Sequence, residues 1–120
     1  MVIKEFADDF SKDWLSSWNS HNLDKILEHY ADDFSIETPM ALKLFPESNG
    51  FIKGKNNIRN YWVVGLEQIP DLKFKLLDVL IGVNGLTIYY INIATNKKSV
   101  EVMNFNSEGK VDKVIVNYSE

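Results

Sequence analysis

The sequence predicts an α+β domain, with helices in the first part of the chain and antiparallel strands in the rest. Two observations carry this. In three segments up to Ile69, apolar residues recur at three- and four-residue intervals, the period of a helix with one buried face. From Leu72 onward they recur at every second residue between short polar turns, the period of strands with one buried face. Helices followed by a run of strands is the order of proteins that lay helices against one face of a sheet.

The elements follow in order. Phe6, Phe10, Trp14 and Trp18 stand four apart, with Asp8, Asp9, Lys12 and Asp13 facing away, so a first helix starts near Ile3. It ends at Asn19-Ser20-His21-Asn22. Asn22 is a natural N-cap for a second helix, and Asp24 in its first turn suits the dipole. Leu23, Ile26, Leu27 and Tyr30 form the stripe of that helix, which Asp32 and Asp33 end.

Phe34 to Thr38 alternates as a strand before Pro39, and Met40 to Asn49 has no period and reads as a loop. Phe51 and Ile52 suggest a short strand closed by Gly54. A third helix runs from about Asn56 to Gln68 and stops at Pro70. Leu72, Phe74 and Leu76 begin the strands. Asn84-Gly85 marks a tight hairpin in which both residues tolerate positive φ. Leu86 to Thr95, Ser99 to Asn106 and Val111 to Tyr118 follow, separated by Asn96-Lys97-Lys98 and Glu108-Gly109-Lys110.

Composition narrows the possibilities. The 120 residues make one domain, residues 1–120, because separate cores need roughly 100 residues each. Apolar residues make up 45% and charged residues 25%, which excludes bulk disorder. The net charge is −4 and Arg59 is the only arginine, so the basic footprint of a nucleic-acid binder is missing. The longest apolar run, Leu76 to Val83, is broken by Asp78 and is too short to cross a bilayer. No membrane partner is expected. An acidic start and the absence of cysteine give a cytoplasmic reading and remove disulfide, thiol and thiolate-metal chemistry. His21 and His29 have no partner at metal-ligand spacing and read as surface residues. No GxSxG elbow, phosphate loop or dinucleotide fingerprint is present, so neither cofactor nor metal is expected.

Three segments, WNSHNLDKILEHYADDFSIETP, GKNNIRNYW and EVMNFNSEGKVDKV, occur in an order that resembles the nuclear transport factor two-like superfamily, in its SnoaL-like and ketosteroid-isomerase-like branch. The resemblance implies a cone-shaped, curved antiparallel sheet wrapped around three helices of the N-terminal half, a cystatin-like roll. It further implies a cavity at the open end and a homodimer through the outer sheet face. Family chemistry is diverse and includes binding modules without turnover, so the fold leaves function open.

In that resemblance the oxyanion-hole tyrosine of ketosteroid isomerase falls on Trp14, its general base on Thr38 and its protonated aspartate on Glu101. Two of three roles are lost, which argues against ketosteroid isomerisation. If Glu101 faces the cavity, alternation turns Ser99, Met103 and Phe105 the same way and Val100, Val102 and Asn104 outward. The resemblance adds Val114, Val116 and Tyr118 from the last strand and Phe34, Ile36 and Thr38 from the first. Trp14, Trp18, Tyr30, Tyr61 and Trp62 arrive from the helices.

Such a lining, apolar and aromatic with few polar groups, suits a small apolar or aromatic ligand. Glu101 has two readings. In an apolar cavity its pKa rises and it serves as an acid or base; at the sheet rim it is merely solvated. In a catalytic reading Trp14 and Tyr118 offer hydrogen bonds and Thr38 orients substrate. The tryptophans stack on a ligand or simply fill core. Asn92 and Asn117 aim amides at a ligand or pair with neighbouring strands, and the phase of Tyr89 against Tyr90 stays open. The leading reading is a cofactor-free small-molecule-binding protein, with isomerase, cyclase or dehydratase chemistry on a carbonyl compound as its enzymatic form. The alternative is a binding or dimerising accessory module without turnover.

Overall fold

Helix α1, Lys4–Asn19, opens the computed structural model, which describes residues 1–119. Its buried face carries Ala7, Phe10, Trp14 and Trp18, three- and four-residue steps that form one stripe. Helix α2, Leu23–Leu27, is capped by Asn22, whose side chain accepts the Lys25 N–H at 3.2 Å. It is shorter than the sequence suggests. Tyr30 belongs instead to strand β1, Tyr30–Glu37, where it pairs with Val111. Aromatic and β-branched residues favour the pleated surface, and the pairing with Val111 recruits Tyr30 to the sheet. Asp32 and Asp33 therefore do not end a helix; they lie where the register of β1 shifts, with both side chains exposed.

The segment read as a loop contains helix α3, Pro39–Leu44, and a 3₁₀ turn, Pro46–Ser48. Thr38 caps α3 by accepting the Met40 N–H at 3.3 Å, and Pro39 supplies a first-turn φ without needing a donor. Strand β2, Phe51–Lys53, and helix α4, Lys55–Gln68, follow. Four strands complete the chain: β3, Phe74–Ile81; β4, Gly85–Asn92; β5, Lys97–Phe105; and β6, Val111–Tyr118.

The six strands form one curved, unclosed sheet in the order β2-β1-β6-β5-β4-β3. Four of its five pairings are antiparallel, whereas β1 runs parallel to β6. The parallel pair arises because α3, β2, α4 and three strands intervene between its members. In β3, Leu77 is an extra residue between Leu76↔Tyr90 and Asp78↔Tyr89, a bulge of the kind that bends an edge strand.

The hairpin turns one residue earlier than the sequence suggests, through Val83-Asn84, with the Gly82 N–H donating to the Gly85 carbonyl at 2.8 Å and Gly85 already in β4. Neither Asn84 nor Gly85 takes a positive φ. Gly85 is needed for a different reason: a Cβ there would lie 1.9 Å from the Met103 carbonyl oxygen. Among the described residues no helix is long and apolar enough to cross a membrane.

The core fills the concave side, between α1, α4 and the inward residues of the sheet. Trp14 is fully buried and its ring lies 5.8 Å from Phe74 and 5.5 Å from Tyr90. Trp18 meets Trp62 nearly edge-on at 4.9 Å. These aromatic contacts join the helices to the sheet.

Candidate functional site

A cavity of about 660 Å³ opens on the concave side of the sheet, within the size range of small-molecule sites. Its walls come from β1 and the start of α3 (Ile36, Thr38, Pro39, Met40), from α4 (Tyr61, Trp62, Leu66, Ile69) and from the inward faces of β4, β5 and β6. Lys43, Gln68, Thr95 and Lys97 mark its exposed rim.

Alternation along β5 turns Ser99 and Glu101 into this cavity, while Val102 points outward and is 43% exposed. Glu101 is 6% exposed, and its Oε2 accepts the Tyr90 hydroxyl at 2.6 Å. Removal from water disfavours the carboxylate. Its pKa is raised from an ordinary 4.5 to about 7, even though the Tyr90 hydrogen bond pulls the other way. Tyr90 is pushed well above its usual range, first by burial and then by the neighbouring Glu101 charge.

At the β6 side, Thr38 Oγ1 donates to the Tyr118 hydroxyl at 3.3 Å. Tyr118 accepts that bond and so keeps its own proton for a further acceptor. Burial raises its pKa to about 12, and burial pushes Tyr61 up as well. The phenols are therefore neutral donors at ordinary pH, and among the described residues Glu101 is the one acid on the lining.

The cavity brings together Trp18, Thr38, Tyr61, Trp62, Glu101, Val116 and Tyr118. Trp14, Tyr30, Phe34 and Met103 are at most 2% exposed and lie in the core instead of on the lining. Trp14 donates its Nε1–H to the Tyr30 hydroxyl at 2.9 Å, so that donor is already engaged inside the protein. Phe105 packs away from the cavity, 5.3 Å from Phe6 and 5.1 Å from Phe10.

Two lining residues, Tyr90 and Asn92, were not fixed by the sequence. The β4–β5 register settles their phase by pairing Tyr90 with Ser99 and Asn92 with Lys97. Asn117 points outward and is exposed. Neither histidine is a simple surface residue. His21 Nε2 lies 2.7 Å from the Leu72 carbonyl oxygen. His29 is partly buried beside the Phe10 ring, with Nε2 2.9 Å from Asp13 Oδ2, and burial lowers its pKa. Among the described residues no group of three His, Asp or Glu side chains is gathered as a metal site would require.

A curved sheet closed on one side by helices, with an internal cavity between them, defines an α+β roll of the cystatin-like kind. Residues 12–107 match the SnoaL-like domain family. A SnoaL-like protein of unknown function from Burkholderia thailandensis is 34% identical over 100% of both chains, with a TM-score of 0.93. The chain belongs to the SnoaL-like domain family.

More distant structures share the fold. A protein of unknown function with a cystatin-like fold from Methylobium petroleophilum is 13% identical over 99% of this chain and 79% of its own, with a TM-score of 0.77. An NTF-2 like protein of unknown function from Burkholderia xenovorans is 17% identical over 98% of this chain and 85% of its own, with a TM-score of 0.75. No curated protein is matched.

Proposed function

We propose that the chain binds a small, largely apolar carbonyl compound in this cavity and moves a proton on it through Glu101, without a cofactor. The observation that carries this reading is the Glu101 carboxyl, buried on the cavity lining, bonded to Tyr90 at 2.6 Å and raised to about 7. A carboxyl of that pKa has both protonation states populated at neutral pH, which a proton shuttle needs.

In the proposed reaction the Glu101 carboxylate takes a proton from the carbon beside the carbonyl. The electron pair moves into an enolate, and the Tyr118 hydroxyl, bonded by Thr38, donates to the enolate oxygen. Glu101 then returns the proton to the same or a conjugated carbon, so no atom is gained or lost. Trp18 and Trp62 offer aromatic walls for a flat substrate. The same reading has a second copy covering the outer sheet face around Val102, which is 43% exposed and paired with Thr87 and Ile115.

Hydrogen–deuterium exchange at the methyl group of acetylnaphthalene in heavy water tests the chemistry without knowledge of the natural substrate. The protein is expected to accelerate exchange, and Glu101→Gln to slow it about a hundredfold while probe binding persists. Equal acceleration by both proteins would remove Glu101 from the chemistry, and exchange no faster than without protein would leave a binding module.

A further inference from the structure

The cavity has a second polar pole that proton transfer does not use. Asn92 is 7% exposed and lies on the lining. Its Oδ1 accepts the Ala94 N–H at 3.1 Å and is reached by the Lys73 N–H at 3.5 Å. These two donors fix the amide orientation, because a nitrogen in the same place would oppose two N–H groups. Nδ2 is thereby turned away from them, and it has no acceptor among the described residues. The donor keeps contact with solvent on this cavity lining, so it is available to a ligand acceptor or to water.

Lys97 is the partner of Asn92 across the β4–β5 ladder, and it too lines the cavity. Its ammonium has no carboxylate at ion-pair distance among the described residues. Lys43 is the other cation on the lining, and Glu101 is the lone acid there. Lys97 and Glu101 share one face of β5, four residues and hence about 13 Å apart along the strand. A titratable carboxyl therefore stands at one end and donors with positive charge at the other, with Trp62, Leu66, Ile69 and Phe74 among the walls.

We propose that Asn92 Nδ2 and Lys97 Nζ form an anion subsite for a carboxylate borne by the same ligand whose carbonyl meets Glu101. The ligand class is a flat, elongated keto acid with a single negative charge. One ammonium and one neutral amide match a monoanion, and the carboxyl at the opposite end disfavours a second negative charge. This deepens the cavity reading above and rests on it.

Tryptophan fluorescence titration with acetylnaphthoic acid, ketone and carboxylate on opposite rings, and with its methyl ester tests the subsite. The native chain at low salt is expected to bind the acid about tenfold more tightly than the ester, the scale of one charge-assisted hydrogen bond. Lys97→Gln and Asn92→Asp are each expected to abolish that preference while ester binding stays within about twofold. Asn92→Asp keeps an oxygen for the Ala94 and Lys73 N–H groups, so the turn survives while the donor becomes a like charge. Glu101→Gln is expected to leave the acid-to-ester ratio unchanged. Equal affinities for acid and ester in the native chain would overturn the subsite and leave the cavity reading standing. Absence of binding by both probes would overturn the two together.

Discussion

Tyr90 and Glu101 sit diagonally across adjacent strands, and the tyrosine hydroxyl donates to Glu101 Oε2 at 2.6 Å inside the cavity. The bond lowers the Glu101 pKa against the larger effect of burial. Its loss in Tyr90→Phe is expected to raise the Glu101 midpoint by about one unit. Carbon-13 NMR of labelled glutamate carboxyls checks this; an unchanged midpoint would mean the bond contributes nothing to the tuning.

Stability is expected to fall as pH rises from about 5 to about 8. The native carboxyl holds its proton up to about 7, whereas the unfolded chain releases it near 4.5. Between those values the native state binds more protons, so raising the pH favours unfolding, by on the order of 3 kcal/mol in total. Urea unfolding across this range measures the slope. Glu101→Gln, which has no proton to lose, is expected to flatten it, and the same slope in both proteins would assign it to another group.

Trp14 and Trp18 are expected to respond differently to truncation. Trp14→Phe removes the 2.9 Å bond to Tyr30 and leaves a void around two residues that are 0% and 1% exposed. A loss of about 3 kcal/mol is expected. Trp18 Nε1 has no hydrogen-bond partner and the side chain borders the cavity, so Trp18→Phe enlarges existing space and is expected to cost about 1 kcal/mol. Denaturant unfolding of both variants decides; equal losses would contradict this division of roles.

The outer face supplies a fourth expectation. Val102 lies between Thr87 and Ile115 in the ladder and is 43% exposed. Light scattering is expected to give the native chain twice the monomer mass and Val102→Arg the monomer mass, because a buried unpaired charge opposes a sheet-to-sheet contact. A monomeric native chain would remove the proposed dimer.

Much of this architecture was legible because period and caps are local. The four-residue steps of α1, the Asn22 cap and the alternation of β5 all have the same physical origin in sequence and structure. Tyr30 was misplaced because Leu23, Ile26, Leu27 and Tyr30 also fit a helical stripe; only pairing with Val111, far along the chain, decides the matter. Helix α3 leaves little trace in the sequence because it is six residues long and buries only Ala41, although Thr38-Pro39 is a helix-start signal. The phase of Tyr90 and Asn92 depends on the β4–β5 register, which a run of mixed apolar residues does not specify. Whether an aromatic residue walls a cavity or fills core depends on where space remains after packing. That is why Trp18 reaches the cavity while Trp14, on the same helical stripe, does not, and why Ile36 reaches it while Phe34, on the same face of β1, does not.

The most direct measurement is the titration of the Glu101 carboxyl itself, by carbon-13 NMR with the resonance assigned through its absence in Glu101→Gln. A midpoint of about 7 that moves when acetylnaphthalene fills the cavity is the expected result. A midpoint at the ordinary glutamate value, indifferent to the probe, would mean that Glu101 is hydrated and that the proposed acid–base site does not exist.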